Sequence, residues 1–246
     1  MIEFDRISIT LGGRPVLTGV SASVREGEVF CIIGKSGVGK SVMIKQLVGL
    51  LQPDSGSIRF EGDEVTAMDE RRLAGLRRRC GMVFQQATLF DSMTCVDNVA
   101  LPIRKHLGLP PHRARERALG YLARVGVEHL AYRDPSTLGP GLRKLVAIAR
   151  TMTMEPRAIL YDEPTTGLDP LAARKFDALV TGPLTEEGVT QVVVSHDVRS
   201  IFDIGGRVLM LHEGGVRFLG TVQELANSAD PVVRGFITGD PGKEEQ

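Results

Sequence analysis

The segment GKSGVGKS, Gly34 to Ser41, constrains the fold of this chain more than any other. It follows the apolar run EVFCIIG, which is typical of a buried strand, and it precedes KSVMIKQLVGLL, which has helical spacing. Glycines let backbone N–H groups close around phosphate oxygens, and the N-terminus of the following helix adds positive potential. A strand, a glycine-rich loop and a helix in this order predict a phosphate-binding P-loop in an α/β fold.

The predicted phosphate contacts are Gly34, Lys35, Ser36, Gly37, Val38, Gly39, Lys40, Ser41 and Val42. Lys40 is expected to neutralise the β- and γ-phosphate oxygens, and the hydroxyl of Ser41 is expected to bind Mg²⁺. The alternative is a glycine-rich turn that contains a lysine by chance. The strand and the helix on either side argue against that alternative.

A second set of polar residues follows two further apolar runs. AILYDEPTTGLDP leads into Asp162 and Glu163, and His196 follows QVVVS. An aspartate at the end of a buried strand beside a P-loop can hold Mg²⁺ through water, and Glu163 is then the candidate general base for attacking water. His196 is a candidate hydrogen-bond partner of a γ-phosphate, because ligands collect at the carboxyl ends of α/β sheets. Solvated carboxylates and a structural histidine are the alternatives.

The remaining pattern alternates strands and helices. IEFDRISITL and VLTGVSASV predict two strands around a GGRP turn, PLAARKFDALVTGPL predicts one helix, and RVLMLHEGGVRFLG predicts a hairpin around Glu213 and Gly214. The stretch from 88 to 150 is mostly helical, and the last six residues, PGKEEQ, are expected to fray. We predict a single domain over 1–246, with a nucleotide-binding core at 1–88 and 151–246 and a helical subdomain at 89–150.

Composition limits the possible partners and location. Thirty basic residues balance thirty acidic ones, so no overall field favours nucleic acid or an anionic membrane. The five arginines of RRLAGLRRR are expected on a solvated helix face, with Asp69 and Glu70 beside them. Cys31, Cys80 and Cys95 are too few and too widely spaced for a disulfide framework, which predicts reduced, mostly buried thiols. The chain has no signal-peptide pattern and no apolar run near the length of a membrane span, so we expect it in the cytoplasm.

In this order the motifs resemble an ATPase subunit of the ABC transporter family, over nearly the whole chain. The matching motifs are Walker A at Gly34 to Ser41, Walker B with Glu163, a Q-loop in GMVFQQ with Gln85, a D-loop at TGLD with Asp169, and an H-loop at His196. The resemblance implies a RecA-like P-loop NTPase core with a parallel sheet, an N-terminal antiparallel β subdomain and an inserted helical subdomain. It also implies that Glu163, His196 and Gln85 are catalytic, that Ser41, Gln85 and Asp162 hold Mg²⁺, and that two ATPase subunits pair head to tail around ATP.

A narrower resemblance, to the Mla/Mce-type (MlaF-like) phospholipid transport ATPases, rests on GMVFQQATLFDSMTCVDNVALPIRKH, DEPTTGLDP and DPVVRGFITG. It implies an integral membrane permease (MlaE-like), an MCE-domain protein reached through the complex, room for a STAS-domain protein, and a position on the inner face of the bacterial inner membrane. Residues 87–99 would then receive a helix of the permease. Importer ATPases share part of this pattern, so an importer of amino acids or other solutes stays open.

Two positions depart from the family pattern. The signature, usually LSGGQ, aligns with Leu138, Gly139, Pro140, Gly141 and Leu142, which removes a serine hydroxyl and one backbone N–H. Gly139 and Gly141 remain candidate contacts of the partner's nucleotide, and Arg143 or Lys144 is a candidate replacement donor. Leu11 stands where the family often has an aromatic residue against adenine, so an aliphatic contact is expected there. These changes leave two interpretations open: a tolerated variant that hydrolyses ATP, and a subunit that binds ATP with little turnover.

Overall fold

The computed structural model describes residues 1–239, so the expectation that PGKEEQ frays concerns residues outside the described range. The strands are β1 (Ile2–Leu11), β2 (Arg14–Val24), β3 (Val29–Ile33), β4 (Ser55–Phe60), β5 (Asp63–Glu64), β6 (Cys80–Val83), β7 (Ala158–Asp162), β8 (Thr190–Val194), β9 (Arg207–His212) and β10 (Gly215–Thr221). The α-helices are α1 (Lys40–Leu47), α2 (Glu70–Arg79), α3 (Cys95–Leu107), α4 (Pro111–Arg124), α5 (Pro140–Met152), α6 (Pro170–Thr181), α7 (Pro183–Glu186), α8 (Val198–Ile204), α9 (Val222–Ala226) and α10 (Pro231–Thr238).

The central sheet has six strands in the order β10-β9-β3-β8-β7-β6. The pairs from β9 to β6 are parallel, and β10 pairs antiparallel with β9 at one edge. Strands β3, β7 and β8 are almost wholly buried, as expected for parallel strands covered on both faces. Because β3, β8 and β7 are neighbours, the loops that follow them meet at one edge of the sheet.

A second sheet forms an antiparallel layer near the N-terminus, with four strands in the order β2-β1-β4-β5. Alternation along β3 explains how the two sheets share a core. Phe30 and Ile32 point into a cluster with α1 and the antiparallel sheet, whereas Cys31 and Ile33 point into a cluster with α3 to α6. The predicted α/β fold class and the N-terminal antiparallel strands are confirmed.

Helices occupy the chain between β6 and β7. Helices α3, α4 and α5 pack on one another, and their buried side chains join the cluster on one face of the central sheet. The helical character predicted for this stretch is confirmed. The division into a core and a separate helical subdomain at 89–150 stays a prediction.

One predicted helix is wrong. The pattern PLAARKFDALVTGPL indicated a single helix, but the structure divides it into α6 and α7 at Gly182. Pro183 has no N–H, and its ring collides with the preceding helical turn, so α6 ends before it. Proline instead occupies the first turn of α7, where a missing N–H costs nothing.

Other local predictions agree with the structure. The hairpin between β9 and β10 turns at Glu213 and Gly214, whose φ angles are 49° and 76°. Two consecutive residues at positive φ are typical of the tight turns that join twisted strands. The three cysteines are buried free thiols, as predicted, and burial raises the pKa of Cys31 to about 12. Among residues 1–239, no helix has the length and apolar character needed to cross a membrane.

Candidate nucleotide-binding site

The loop between β3 and α1 has the geometry of a phosphate cradle. Gly34 and Gly39 have φ angles of 144° and 107°. A Cβ at Gly34 would lie 2.4 Å from the carbonyl oxygen of Leu211, and one at Gly39 would lie 2.6 Å from a methyl of Leu17. Glycine is therefore required at both positions. The N–H of Met43 donates to the carbonyl oxygen of Gly39. The N–H groups in the first turn of α1, at Lys40, Ser41 and Val42, precede the intrahelical bonds, so they are donors that an anion can use.

The ammonium of Lys40 lies at the centre of this loop. Lys40 is 3% exposed, and its Nζ donates to the carbonyl oxygens of Gly34 and Lys35 at 2.8 and 3.1 Å. Burial lowers the pKa of Lys40, whereas the carboxylates of Glu163 and Asp162 favour its charged form. A buried cation held by neutral carbonyl groups is a strong attractor for phosphate oxygens.

Ser41 and Asp162 supply adjacent oxygen atoms. The hydroxyl of Ser41 donates to the carboxylate of Asp162, whose other oxygen lies 3.7 Å from Nζ of Lys45. Hydroxyl and carboxylate oxygens are the hard ligands that Mg²⁺ prefers. No group of three or more His, Cys, Asp or Glu residues that could hold a metal occurs within residues 1–239. The oxygens of Ser41 and Asp162 therefore fit Mg²⁺, and the predicted metal contact of Gln85 stays a prediction.

The other two predicted catalytic side chains, Gln85 and His196, lie against the carboxylate of Glu163. Its carboxylate accepts from Nε2 of Gln85 and from the hydroxyl of Thr166, each at 3.2 Å, and lies 3.4 Å from Nδ1 of His196. The same carboxylate lies 3.9 Å from Nζ of Lys40, the predicted phosphate ligand. The side chain of Glu163 is 14% exposed, whereas that of His196 is 48% exposed. The carboxylate of Glu163 is thus held by neighbouring protein groups, whereas the ring of His196 is accessible to a nucleotide and to water.

The backbone of Glu163 is strained. Its φ is 48°, in the left-handed region, which costs an L-residue roughly 1–2 kcal/mol. Its N–H donates to the carbonyl oxygen of Val194 at the end of β8, at 3.0 Å. Strain of this kind persists where the surroundings impose it, and it concentrates at functional sites.

The altered signature forms an ordinary helix start. Gly139 is the N-cap of α5 and Pro140 occupies its first position, where the fixed φ of proline suits a helix. Gly141 lies against α6, since a Cβ there would be 3.0 Å from Cβ of Ala172. Gly141 thus packs closely on α6, and its contact with the partner's nucleotide stays a prediction.

The structure corrects the idea that Arg143 or Lys144 replaces the missing signature donors. Arg143 donates to the carbonyl oxygen of Pro135 and to Asp91, both at 3.2 Å. Lys144 is 4% exposed and donates to the carbonyl oxygens of Glu163 and Thr166. Both cations are therefore committed to their own subunit.

Two further predicted nucleotide-binding residues, Leu11 and Asp169, are not part of the cluster around Lys40 and Glu163. Leu11 ends β1 with 39% of its surface exposed, so an aliphatic face is available at the surface. Asp169 caps α6 by accepting from the N–H groups of Leu171 and Ala172, each at 2.9 Å. The contacts of both residues with nucleotide stay predictions.

Sequence reasoning missed Lys45, Thr166 and the internal role of Lys144. Lys45 follows Ser41 by one helical turn, so the spacing alone could have indicated its approach to Asp162. Thr166 lies within the quoted D-loop but carried no distinctive pattern. Lys144 gave a misleading signal, because a lysine within a helix is usually exposed.

Comparison with known proteins agrees with this geometry. The family model described as ABC transporter matches residues 17–166. The phospholipid transport ATP-binding protein MlaF of Escherichia coli K12 is 35% identical over 239 residues, which cover 97% of this chain and 89% of that protein. MlaF of Haemophilus influenzae is 33% identical over 98% of this chain and 91% of its own length. The methionine import ATP-binding protein MetN of Caulobacter vibrioides is 38% identical over 98% of this chain and 76% of that protein.

Solved structures give the same result at the level of the fold. A dimeric, post-hydrolysis form of the ATP-binding cassette MJ0796 bound to ADP and Pi superposes with a TM-score of 0.82 at 32% identity, over 90% of this chain and 99% of that one. CbiO1 of Clostridium perfringens, part of an ABC transporter complex, superposes with a TM-score of 0.83 at 30% identity, over 92% of this chain and 90% of that one. The P-loop between β3 and α1, the carboxylates after β7 and these similarities establish that the chain belongs to the ABC transporter family, as one of its ATPase subunits.

Proposed function

We propose that this chain is the ATP-hydrolysing motor subunit of a transporter that moves phospholipid or another hydrophobic molecule between the inner membrane and a periplasmic MCE-domain protein. The observation that carries the motor role is the cluster in which Gln85, Thr166 and His196 surround the carboxylate of Glu163. The lipid substrate is supported by similarity to MlaF of two organisms over 97% or more of this chain.

In the proposed reaction Glu163 is the general base. Its carboxylate accepts a proton from a water molecule as the water oxygen bonds to the γ-phosphorus, and the bond from that phosphorus to the bridging oxygen of ADP breaks. Lys40 and the loop N–H groups hold the phosphates, and the exposed ring of His196 donates to the γ-phosphate. Ser41, Asp162 (through water) and Gln85 would hold Mg²⁺, and the ion would offset the negative charge of the phosphate oxygens.

The proposed permease site is the segment 87–99. The buried amide of Asn98 organises it: its Oδ1 accepts from the N–H of Phe90, and its Nδ2 donates to the carbonyl oxygens of Phe90, Met93 and Thr94. This network leaves Phe90 51% exposed at the surface. An aromatic side chain presented by a fixed loop suits an apolar partner helix. The chain would thereby be held on the cytoplasmic face of the inner membrane.

The proposed ATPase assembly is a head-to-tail pair of these subunits. Dimeric cassettes such as MJ0796 support pairing. In such a pair the N-terminus of α5, with Gly139 and Gly141, faces the nucleotide on the partner's P-loop, and Asp169 lies at the junction. A STAS-domain protein is a further proposed partner. Nucleic acid is not proposed, since the net charge is zero.

Two other functions have specific support. Identity of 38% to a methionine importer ATPase favours the motor of a solute importer. The absence of a serine at Gly139 and of an N–H at Pro140 favours a subunit that binds ATP with weak turnover. Each lost hydrogen bond to a charged phosphate corresponds to about 1.5–3 kcal/mol.

Hydrolysis of Mg-ATP by the purified chain, with and without its permease, tests the motor role. We expect turnover that Glu163→Gln abolishes. We expect Pro140→Gly to raise the rate, because it restores a backbone donor at the start of α5. Tight ATP binding without turnover in any assembly would replace the motor by a nucleotide-dependent scaffold.

Co-purification from the native membrane separates lipid transport from solute import. We expect an MCE-domain protein and an integral permease to accompany the tagged chain. A soluble periplasmic binding protein in their place would exclude the lipid proposal and support the importer.

A further inference from the structure

The backbone of Glu163 is held from both sides. As described above, its φ of 48° lies in a region that L-residues rarely adopt. On the amino side the restraint is the hydrogen bond from its N–H to Val194. On the carbonyl side the restraint comes from a different element, the signature helix α5.

Lys144 of α5 provides this second restraint. Its Nζ donates to the carbonyl oxygens of Glu163 and Thr166, each at 2.9 Å. The N–H of Thr166 donates back to the carbonyl oxygen of Glu163 at 3.3 Å, which closes the turn 163–166. The hydroxyl of Thr166 donates to Oε2 of Glu163 at 3.2 Å. One ammonium thus clamps both ends of a turn whose last residue orients the carboxylate.

The environment of Lys144 requires these contacts. A lysine that is 4% exposed loses the hydration of its charge, so its N–H donors must be used by the protein. Burial lowers the pKa of Lys144, and attraction by Glu163 and Asp162 favours the charged form. The same carboxylates interact with Lys40, the predicted phosphate ligand. The ammonium therefore belongs to the electrostatics of the nucleotide site although its side chain starts on α5.

We propose that Lys144 is a positioning residue for hydrolysis, which holds the turn 163–166 so that the carboxylate of Glu163 stays directed into the site. The inference rests on the proposed role of Glu163 as the base. The proposal adds a specific link. Helix α5, whose N-terminus would face the partner's nucleotide, is joined by Lys144 to Glu163, the general base of its own subunit. A shift of α5 would displace Glu163 through Lys144. In the proposed pair, this contact therefore couples one nucleotide site to the other.

Steady-state kinetics of Lys144→Met test the proposal, since methionine keeps the unbranched stem and removes the charge. We expect kcat to fall about tenfold to a hundredfold, as small misplacements of catalytic groups do, while KM for ATP stays within about twofold. Lys144→Arg should recover part of kcat because it keeps a charged donor. The matched control is Lys175→Met, an exposed lysine on α6, which should behave as the unaltered protein. An unchanged kcat in Lys144→Met would overturn the proposal.

A double-mutant cycle distinguishes positioning from general damage. If Lys144 acts by holding the turn 163–166, Lys144→Met should cause a smaller further loss of kcat in a Thr166→Val background, because that variant has already lost the hydrogen bond that orients the carboxylate of Glu163. An equal fractional loss in both backgrounds would mean that Lys144 acts elsewhere.

Hydrogen exchange of the full chain gives a readout independent of turnover. In Lys144→Met we expect the amides of Glu163 and Thr166 to exchange faster, while amides in β3 and β8 keep their protection and report an intact fold. Unchanged exchange at Glu163 and Thr166 would reject the clamp. If the unaltered protein has no turnover, the motor proposal fails, and the exchange result still decides whether Lys144 holds the turn.

Discussion

Asp177 is a buried acid whose carboxylate accepts a hydrogen bond from the hydroxyl of Ser200 at 2.6 Å. Burial raises the pKa of Asp177, Ser200 opposes the increase, and repulsion from Asp203 and Asp197 adds to it. The folded protein therefore holds this proton more tightly than the unfolded chain. Since the native state binds more protons, the free energy of unfolding decreases as pH rises from about the unfolded pKa of 3.8 through the raised value.

Asp177→Asn should stabilise the protein at neutral pH. The amide oxygen still accepts from Ser200, and the cost of a buried charge disappears. We expect a midpoint of thermal unfolding a few degrees higher at pH 8, with the difference shrinking toward pH 4. Ser200→Ala is the opposing control, because it removes a hydrogen bond to a charged group and should cost about 1.5–3 kcal/mol at pH 8. A constant difference between Asp177→Asn and the unaltered protein at every pH would contradict this account.

At the scale of single residues, motifs in the sequence identified the site, and the structure brings its residues together: Lys40, Ser41, Asp162, Glu163, Gln85 and His196. Each follows a strand or opens a helix within a recognisable motif. Lys144 was misread because its role depends on a distant turn. No local pattern reveals that a lysine on α5 reaches the carbonyl oxygens of Glu163 and Thr166.

Helix α5 contacts three functional segments at the scale of secondary structure. Its N-terminus carries the signature, Lys144 reaches the turn 163–166, and two arginines reach the segment 87–99. Arg143 donates to Asp91, and Arg150 donates to the carbonyl oxygen of Thr88 at 2.8 Å. Arg150 is half-buried, and this burial lowers the pKa of its guanidinium. The helix therefore joins the proposed permease site to the candidate base.

Arg150→Met should uncouple the permease from hydrolysis. Loss of the bond to Thr88 frees the start of segment 87–99, while the P-loop and the carboxylates after β7 keep their contacts. We expect basal ATPase activity within about twofold of the unaltered protein and stimulation by the permease reduced by about tenfold, since a lost charged hydrogen bond corresponds to about 1.5–3 kcal/mol. The comparison is with Arg113→Met, an exposed arginine on α4. Full stimulation of Arg150→Met would argue against this route.

Most elements were predictable because buried strands and amphipathic helices leave periodic patterns. The single helix predicted over α6 and α7 was wrong for a physical reason. The spacing of apolar residues continues through Gly182, but Pro183 cannot continue a helical turn, and apolar spacing does not record this. Strand order was not predictable either. It depends on pairing between distant segments, such as β6 with β7.

At the scale of the whole molecule, the proposed dimer divides each nucleotide site between two subunits. The P-loop and Glu163 lie at the end of the central sheet, whereas the signature at the N-terminus of α5 is directed to a partner in the proposed dimer. We predict that Glu163→Gln with Mg-ATP forms a stable dimer, because the nucleotide is bound but not hydrolysed. Light scattering during size-exclusion chromatography measures it. Lys40→Met, which lacks the phosphate ligand, should remain monomeric under the same conditions, and a dimer formed equally well without ATP would count against the head-to-tail arrangement.

The strand order also sets the time at which this protein becomes able to bind ATP. Strand β3, which leads into the P-loop, lies between β8 and β9, and it pairs Val29 with Gln191 and Phe30 with Arg207. The ribosome therefore releases the P-loop sequence long before the two strands that flank it. A chain that stops before β9 leaves one edge of β3 without its neighbouring strand, so its P-loop lacks part of its support. We therefore expect translation products that stop before β9 to hydrolyse no ATP, whatever motifs they already contain.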